Sequence, residues 1–433
     1  MTYRSPRDLV RGAAAVHGDR LAVIEAEERL TYSALAARTA EAASVLKRAG
    51  VAAGDQVALA FPNSVAFLVW FFGILEAGAI VVPLSPMLSA AAAKDIMETA
   101  RIGFLAADDS AAFAGEIGMT PVPAPVGGPG TGSVLWRGAE AVPAIETRPW
   151  TQDGIMIRQF SSGSTGRPKH MFRTEWNYFH SYRHYCEMLG LGSDERLLGV
   201  APFYHSSGAG SFQVALHLGA TLIVMPHFLP GAVLQTALRH RPTVFRATPP
   251  MIEALGSCWI ERGDEKAFDM MRHCSCAAGR LSEAAVANFY KRYGVRVRNR
   301  YGSNETGTVS IDLDDDYQEG RVGRPYGGIE IEIFDDAGEP LTIGERGKVG
   351  IRSAAACKGY VDEPELSAKV FREDGFVFPG DLGYLDDSGR LFVLGRTDVI
   401  NIGGYKVDPL EVENIIRELD GVRDVIVFGG EKA

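Results

Sequence analysis

The sequence has no apolar run long enough to span a membrane. Its longest, Val65 to Leu75, is broken at Glu76 and Gly78, short of the ~20 residues a spanning helix needs. That run reads as a buried helix. The N-terminus lacks the apolar core of a secretory signal, and Leu9, Val10, Ala13 and Ala14 sit at the spacing of an amphipathic surface helix. Cysteine is scarce and scattered: Cys186, Cys258, Cys274, Cys276 and Cys357. An odd, dispersed set excludes a disulfide scaffold and points to a reducing, cytoplasmic setting. Cys274 and Cys276 form the one close pair, without a second pair or a histidine at zinc spacing. Positive charge is in deficit. A net charge of −10 argues against nucleic acid or an anionic membrane surface as a partner. There is no repeat of fixed period, no Ser-His-Asp arrangement and no Walker loop.

What remains is well suited to burial. Apolar residues are 46% of the 433 and charged ones 23%, and the length calls for two or three domains or subdomains. Near-continuous apolar strands alternate with helices. "RLAVIEA" and "RLTY" read as paired strands, followed by a helix capped at Ser33 and ending at Gly50. "DQVALAF", "SVAFLVWFFGILEAG" and "AIVVPL" give strand, helix, strand, and the same grammar returns through "GATLIVMP", "PGAVLQTALRHR", "TVFRATP", "SEAAVANFYKRYG" and "VRVRNRYG". This is the mark of parallel sheets covered on both faces. Pro121 to Gly138 reads as an aperiodic surface connection. From about Gly323, short alternating strands with Asp-Asp-x-Gly turns predict antiparallel sheet or a small barrel.

Four polar clusters carry the chemistry. In Gln159 to His170, "QFSSGSTGRPKH", Ser161, Ser162, Ser164 and Thr165 supply hydroxyls, and Gly163 and Gly166 let the backbone close on an anion. Lys169 adds a cation. A plain Gly/Ser linker is the bland alternative. "NRYGSNETG" delivers Glu305 beyond a strand, where ligands bind in open α/β sheets. Such a carboxylate suits Mg²⁺, and Tyr301 offers a flat face for a base. An exposed turn explains that segment as readily. "FPGDLGYLDDSGRLFVLGRTD" presents Asp381 and Arg396 for hydroxyls or a phosphate, against a simple turn and a surface arginine. "APFYHSSGAG" places His205 among aromatic and small residues, where a packed core histidine is the commoner outcome.

In this order and spacing the clusters resemble the adenylate-forming superfamily, which takes in acyl- and aryl-CoA synthetases, peptide-synthetase adenylation domains and luciferases. The resemblance runs over essentially the whole chain. It implies a doubly wound, mostly parallel α/β body (residues 1–322), a barrel-like antiparallel subdomain (323–397), and a hinge at Asp398 opening the start of a small α+β C-terminal domain (398–433). It also implies that Ser161 to Lys169 hold the ATP phosphates. Asn299, Arg300, Tyr301, Gly302 and Asn304, with Ala278, Gly279 and Arg280, would lie against adenine and ribose. Glu305 would hold Mg²⁺, and Asp381 and Arg396 the ribose. The implied reaction joins a carboxylic acid to AMP and passes the acyl group to the thiol of CoA, or of a carrier-protein phosphopantetheine arm.

Three departures accompany the resemblance. Asn304 stands where the family has Thr, and Pro379 where Thr or Ser precedes Gly-Asp. The family's C-terminal adenylation lysine has no match, since Lys432 is not one. A chain trimmed at that domain is the expected explanation, and a non-catalytic adenylate-binding protein the alternative. Amino-acid-activating relatives carry Asp about where Ser206 stands, so an amino acid is discounted. Tyr204, His205, Ser207, Gly208, Ala278 and Gly279 are the expected pocket, suited to an aryl or medium-length acyl group, and His205 is also an expected catalytic residue beside Lys169 and Glu305. A stand-alone enzyme that loads a carrier protein stays open, as does the oligomeric state, a homodimer included.

Overall fold

Strands that are apolar along their whole length must be covered on both faces, and two sheets meet that demand here. The computed structural model describes residues 5–122, 133–138, 154–161 and 169–396, with 400–402, 405–407 and isolated positions between 412 and 427. In the first sheet, Phe104–Ala107, Gln56–Ala60, Ile80–Pro83 and Ile155–Ser161 run parallel. Lys169–Thr174 closes one edge antiparallel. Val134–Arg137 pairs with Phe104–Ala107 at the other side. The end of the expected Pro121–Gly138 connection is therefore a strand, because Val134, Leu135 and Trp136 are β-formers with an apolar neighbour to pair with.

The second sheet has thirteen strands. Its parallel block comprises Leu21–Glu25, Thr221–Val224, Arg196–Gly199, Val244–Ala247, His273–Cys276 and Val297–Ser303. Beyond it the ladder turns antiparallel through Gly307–Ile311, Arg321–Pro325, Leu391–Arg396, Asp381–Leu385, Gly347–Arg352 and Glu330–Phe334. Val297–Ser303 is the hinge of this pattern. It pairs in parallel on one side and antiparallel on the other.

Helices Val65–Glu76 and Ser206–Leu218 are buried almost throughout. They lock through aromatic rings, Phe71 lying 5.1 Å from Phe212 edge to face. The helix after the first hairpin spans Tyr32–Arg48 and is capped by Thr31, whose hydroxyl accepts from the Ala34 amide. The expected cap, Ser33, falls inside the first turn, because the strand runs into the helix without a loop. Gly50 (φ +91°) lies one residue past the C-cap, Ala49. Among the described residues no helix is long and apolar enough to cross a membrane. All five cysteines are free, and burial pushes the Cys276 thiol up to about 12. The hairpin Ile400–Ile402 with Tyr405–Val407 is antiparallel. Asp398 and most of the segment after it lie outside the described residues.

Two buried histidines predict an acid-sensitive fold. His170 sits beside the Arg158 guanidinium, with Arg158 Nε 3.2 Å from His170 Nδ1. Burial first, then that cation, lowers His170 from 6.5 to about 4. Burial likewise lowers His217 to about 4. The unfolded chain takes up these protons first, so their stabilisation is full above 6.5 and is lost as pH falls from there toward 4. Melting temperature should therefore drop across that window. His217→Leu should flatten the decline, and an unchanged slope would remove His217 from it.

Candidate active site

A cleft of about 1170 Å³ opens beside the strand Val297–Ser303, where the sheet changes from parallel to antiparallel. Such a reversal leaves a crevice beyond the strand ends, the usual place for a ligand in an α/β sheet. Lys169, His205, Ser207, Ala278, Gly279, Arg280, Asn299, Arg300, Tyr301, Gly302, Asn304, Glu305, Asp381 and Arg396 all line it. Residues from Gln159 to Arg396 are thus brought to one surface by the two sheets. Ser161 and Lys169 face each other across the hairpin register. The expected phosphate-loop residues between them, Ser162, Gly163, Ser164, Thr165 and Gly166, lie outside the described residues, as does the Ser161 side chain.

Two side-chain networks organise the cleft. In the first, the Tyr301 hydroxyl donates to Asp381 Oδ2 at 2.5 Å, and Arg396 Nη1 lies 3.6 Å from Asp381 Oδ1. Asp381 and Arg396 are opposite one another in the antiparallel register. Burial, then the adjacent Asp381 charge, pushes the Tyr301 phenol well above its ordinary value, so it stays a donor. In the second, the Tyr360 hydroxyl donates to Glu305 Oε1 at 2.7 Å, and Lys169 Nζ lies 5.7 Å from the centre of the Tyr360 ring. Asn304 joins the walls. Its Oδ1 accepts from Ser206 at 2.7 Å and Gln159 at 3.3 Å, and its carbonyl accepts from Arg173 at 2.5 Å.

The backbone contributes as well. Ala278 holds φ +71° at the mouth of strand His273–Cys276, an uncommon conformation for a residue with a Cβ. Asn63 fixes the histidine segment: its amide donates to the carbonyls of Val200, Ala201 and Met225 and accepts from the Phe203 amide. His205 then enters the cleft with its ring 4.6 Å from that of Tyr204.

Some expected residues sit elsewhere. Tyr204 and Gly208 are not among the lining residues. The helix starts directly after His205, which turns Gly208 inward against the backbone of Ala201 and Pro202, where a Cβ would collide. Asn299 donates its amide to the Arg321 carbonyl at 3.0 Å, and Arg280 pairs with Glu319 at 2.5 Å. Arg300 lines the cleft and donates to Thr308 Oγ1 at 3.1 Å.

Over residues 10–361 the chain matches the profile described as AMP-binding enzyme. It belongs to that family. Feruloyl-CoA synthase from an Amycolatopsis species is 30% identical over 412 residues, 92% of this chain and 80% of that protein. The 3-hydroxybenzoate/4-hydroxybenzoate–CoA ligase of Thauera aromatica is 28% identical over 439 residues, 95% of this chain and 80% of that one. Among solved structures, ATP-bound MatB from Rhodopseudomonas palustris superposes with a TM-score of 0.81 at 26% identity. That match covers 98% of this chain and 85% of MatB. The adenylate-forming resemblance and the mixed α/β architecture with parallel-rich sheets both hold.

Motif reading assigned no role to several further residues at this site. Tyr360, Gln159, Arg173 and Arg246 line the cleft, and Asn63 stands behind it. Only Arg246 left a trace in the sequence: a lone charge inside the apolar strand "TVFRATP".

Proposed function

We propose that this enzyme uses ATP to activate a carboxylic acid, aryl or medium-length acyl, as its adenylate, and then transfers the acyl group to the thiol of CoA. The observation that carries the reading is the convergence of Lys169, Asn304, Glu305, Asp381 and Arg396 on one cleft at the sheet reversal. CoA as acceptor draws support from the names of the two relatives above.

In this scheme a carboxylate oxygen attacks the α-phosphorus as the bond to pyrophosphate breaks. The thiol sulfur then attacks the acyl carbon and AMP leaves. The first step needs no general base, because the acid is already ionised at neutral pH. It needs alignment and neutralisation of charge. Lys169 supplies a cation to the phosphates, and the Asn304 side chain, held by Ser206 and Gln159, faces the α-phosphate. Asp381 accepts from the ribose hydroxyls, exchanging its bond with Tyr301 for them, and Arg396 flanks it.

Glu305 fits a magnesium ion. Among the described residues no three His, Cys, Asp or Glu side chains cluster as a metal cage. Mg²⁺ bound with nucleotide commonly takes only one or two carboxylates plus phosphate oxygens. Bound there, the ion would supply positive charge to offset the negative charge that develops on the leaving pyrophosphate.

The test combines binding and turnover. A panel of acyl-sulfamoyl adenosines differing only in the acyl group should raise the melting temperature. At a hundred times its dissociation constant an analogue stabilises by ~2.7 kcal/mol. With the best acid, AMP release should require CoA, and a phosphopantetheinyl carrier should not replace it. If neither ATP with Mg²⁺ nor any analogue shifts the protein, the reading fails.

A further inference from the structure

One wall of the cleft is built from cations that have no anion. Arg173, Arg246 and Arg300 line the cleft and are only 5%, 3% and 6% exposed. Among the described residues none forms an ion pair with a carboxylate, and the groups acting on Arg300 are arginine, tyrosine and cysteine side chains. Nε of all three, and Nη1 of Arg246, are buried without a hydrogen-bond partner among the described residues.

The wall is constructed to hold these groups. Arg246 stacks on the Tyr185 ring at 4.6 Å and Arg173 on Tyr178 at 5.3 Å, both tyrosines belonging to helix Glu175–Leu189. Tyr182, on the same helix and also lining the cleft, lies within the electrostatic reach of all three guanidiniums. Helix Ser206–Leu218 carries Gly210 against Arg246, and a Cβ there would run into the guanidinium. Arg246 and Arg300 are near enough to repel each other, and burial with that repulsion lowers Arg300 to about 10.

Burying like charges without a counter-charge is costly. Arg173 has a structural use, since it braces the Asn304 carbonyl. Arg300 spends one donor on the Thr308 hydroxyl, while its Nε, and Nε and Nη1 of Arg246, are left without a partner among the described residues. The planar fork of arginine matches a carboxylate, yet the reacting carboxylate is a poor candidate for it. That group loses its charge on becoming the acyl adenylate, and neutralising it in the ground state would blunt its attack. An anion elsewhere in the acid keeps its charge through both steps.

We propose that the acid activated here carries a second carboxylate, and that Arg246 and Arg300 hold it. This rests on the acid-activating reading above and narrows its substrate class to dicarboxylic acids.

The experiment uses pairs of acyl-sulfamoyl adenosines on the full chain, over graded chain lengths and one aryl series. Within each pair the distal end is a carboxylate or the carboxamide of the same size. Affinity is measured by calorimetry, with ATP and Mg²⁺ as a separate ligand. At one length or more the carboxylate should bind roughly ten- to a hundredfold tighter than its amide, the range for charge-assisted hydrogen bonds. Arg246→Gln and Arg300→Gln should each shrink that ratio toward one. If amides bind as well as carboxylates at every length while ATP still binds, the inference is overturned and the acid-activating reading stands. If ATP and all analogues fail to bind, both fall. The wild-type ratio decides the matter even where an arginine variant folds poorly.

Discussion

Asp381→Ala should lower the affinity for ATP and for acyl-adenylate analogues by about a hundredfold, the loss of two hydrogen bonds to a charged acceptor. The fold should barely register it. Asp381 stands at the start of strand Asp381–Leu385, after Gly380 at φ +92°, and its backbone pairing with Arg396 does not depend on the side chain. The carboxylate is engaged by Tyr301 and Arg396, whose half-exposed guanidinium keeps solvent when it is gone. Asp381→Asn sharpens the test, because an amide oxygen can accept from Tyr301 but carries no charge. Calorimetry with ATP, beside a thermal melt, separates the two effects. Equal affinity in wild type and Asp381→Ala would remove Asp381 from the ribose, whatever the melt shows.

Glu305→Gln should abolish the gain in ATP affinity that magnesium confers, and lower acid-dependent AMP formation about a hundredfold, the scale of removing one electrostatic stabiliser of a transition state. The exchange is nearly isosteric. Glutamine keeps an oxygen for the Tyr360 hydroxyl, which now donates to Glu305 Oε1 at 2.7 Å, and the Glu305 carbonyl still accepts from the Cys357 amide at 2.7 Å. Structure and nucleotide pocket should survive while the charge is lost. Burial and the Glu305 charge together hold the Tyr360 phenol far above its ordinary value, so Tyr360 remains a donor to either residue at neutral pH. Magnesium titrations of ATP binding give the decisive readout. A variant that still gains affinity with magnesium would move the ion to another ligand.

The alternation of strands and helices was plain in the hydrophobic pattern, and the buried runs "DQVALAF" and "SVAFLVWFFGILEAG" became the elements expected of them. Boundaries were harder. Thr31 caps its helix in place of Ser33 because hairpin and helix share no loop. Val134–Arg137 became a strand because Phe104–Ala107 offered it an unpaired edge. Of the expected site residues whose side chains the structure describes, all but Tyr204 and Gly208 line the cleft, and Gly208 is turned inward by the helix that begins at Ser206.

By itself the sequence determined what depends on neighbours along the chain: which segments are strands or helices, which turns carry glycine, and which polar residues follow strand ends. Motif order added the family and the expected reach of each motif toward the nucleotide. Only the tertiary structure decided how Arg173, Arg246 and Arg300 stand together. They come from three strands in two sheets, and each sits in an ordinary local pattern. A buried charge draws its meaning from the partners that folding places around it or withholds from it. Those partners lie far away in sequence.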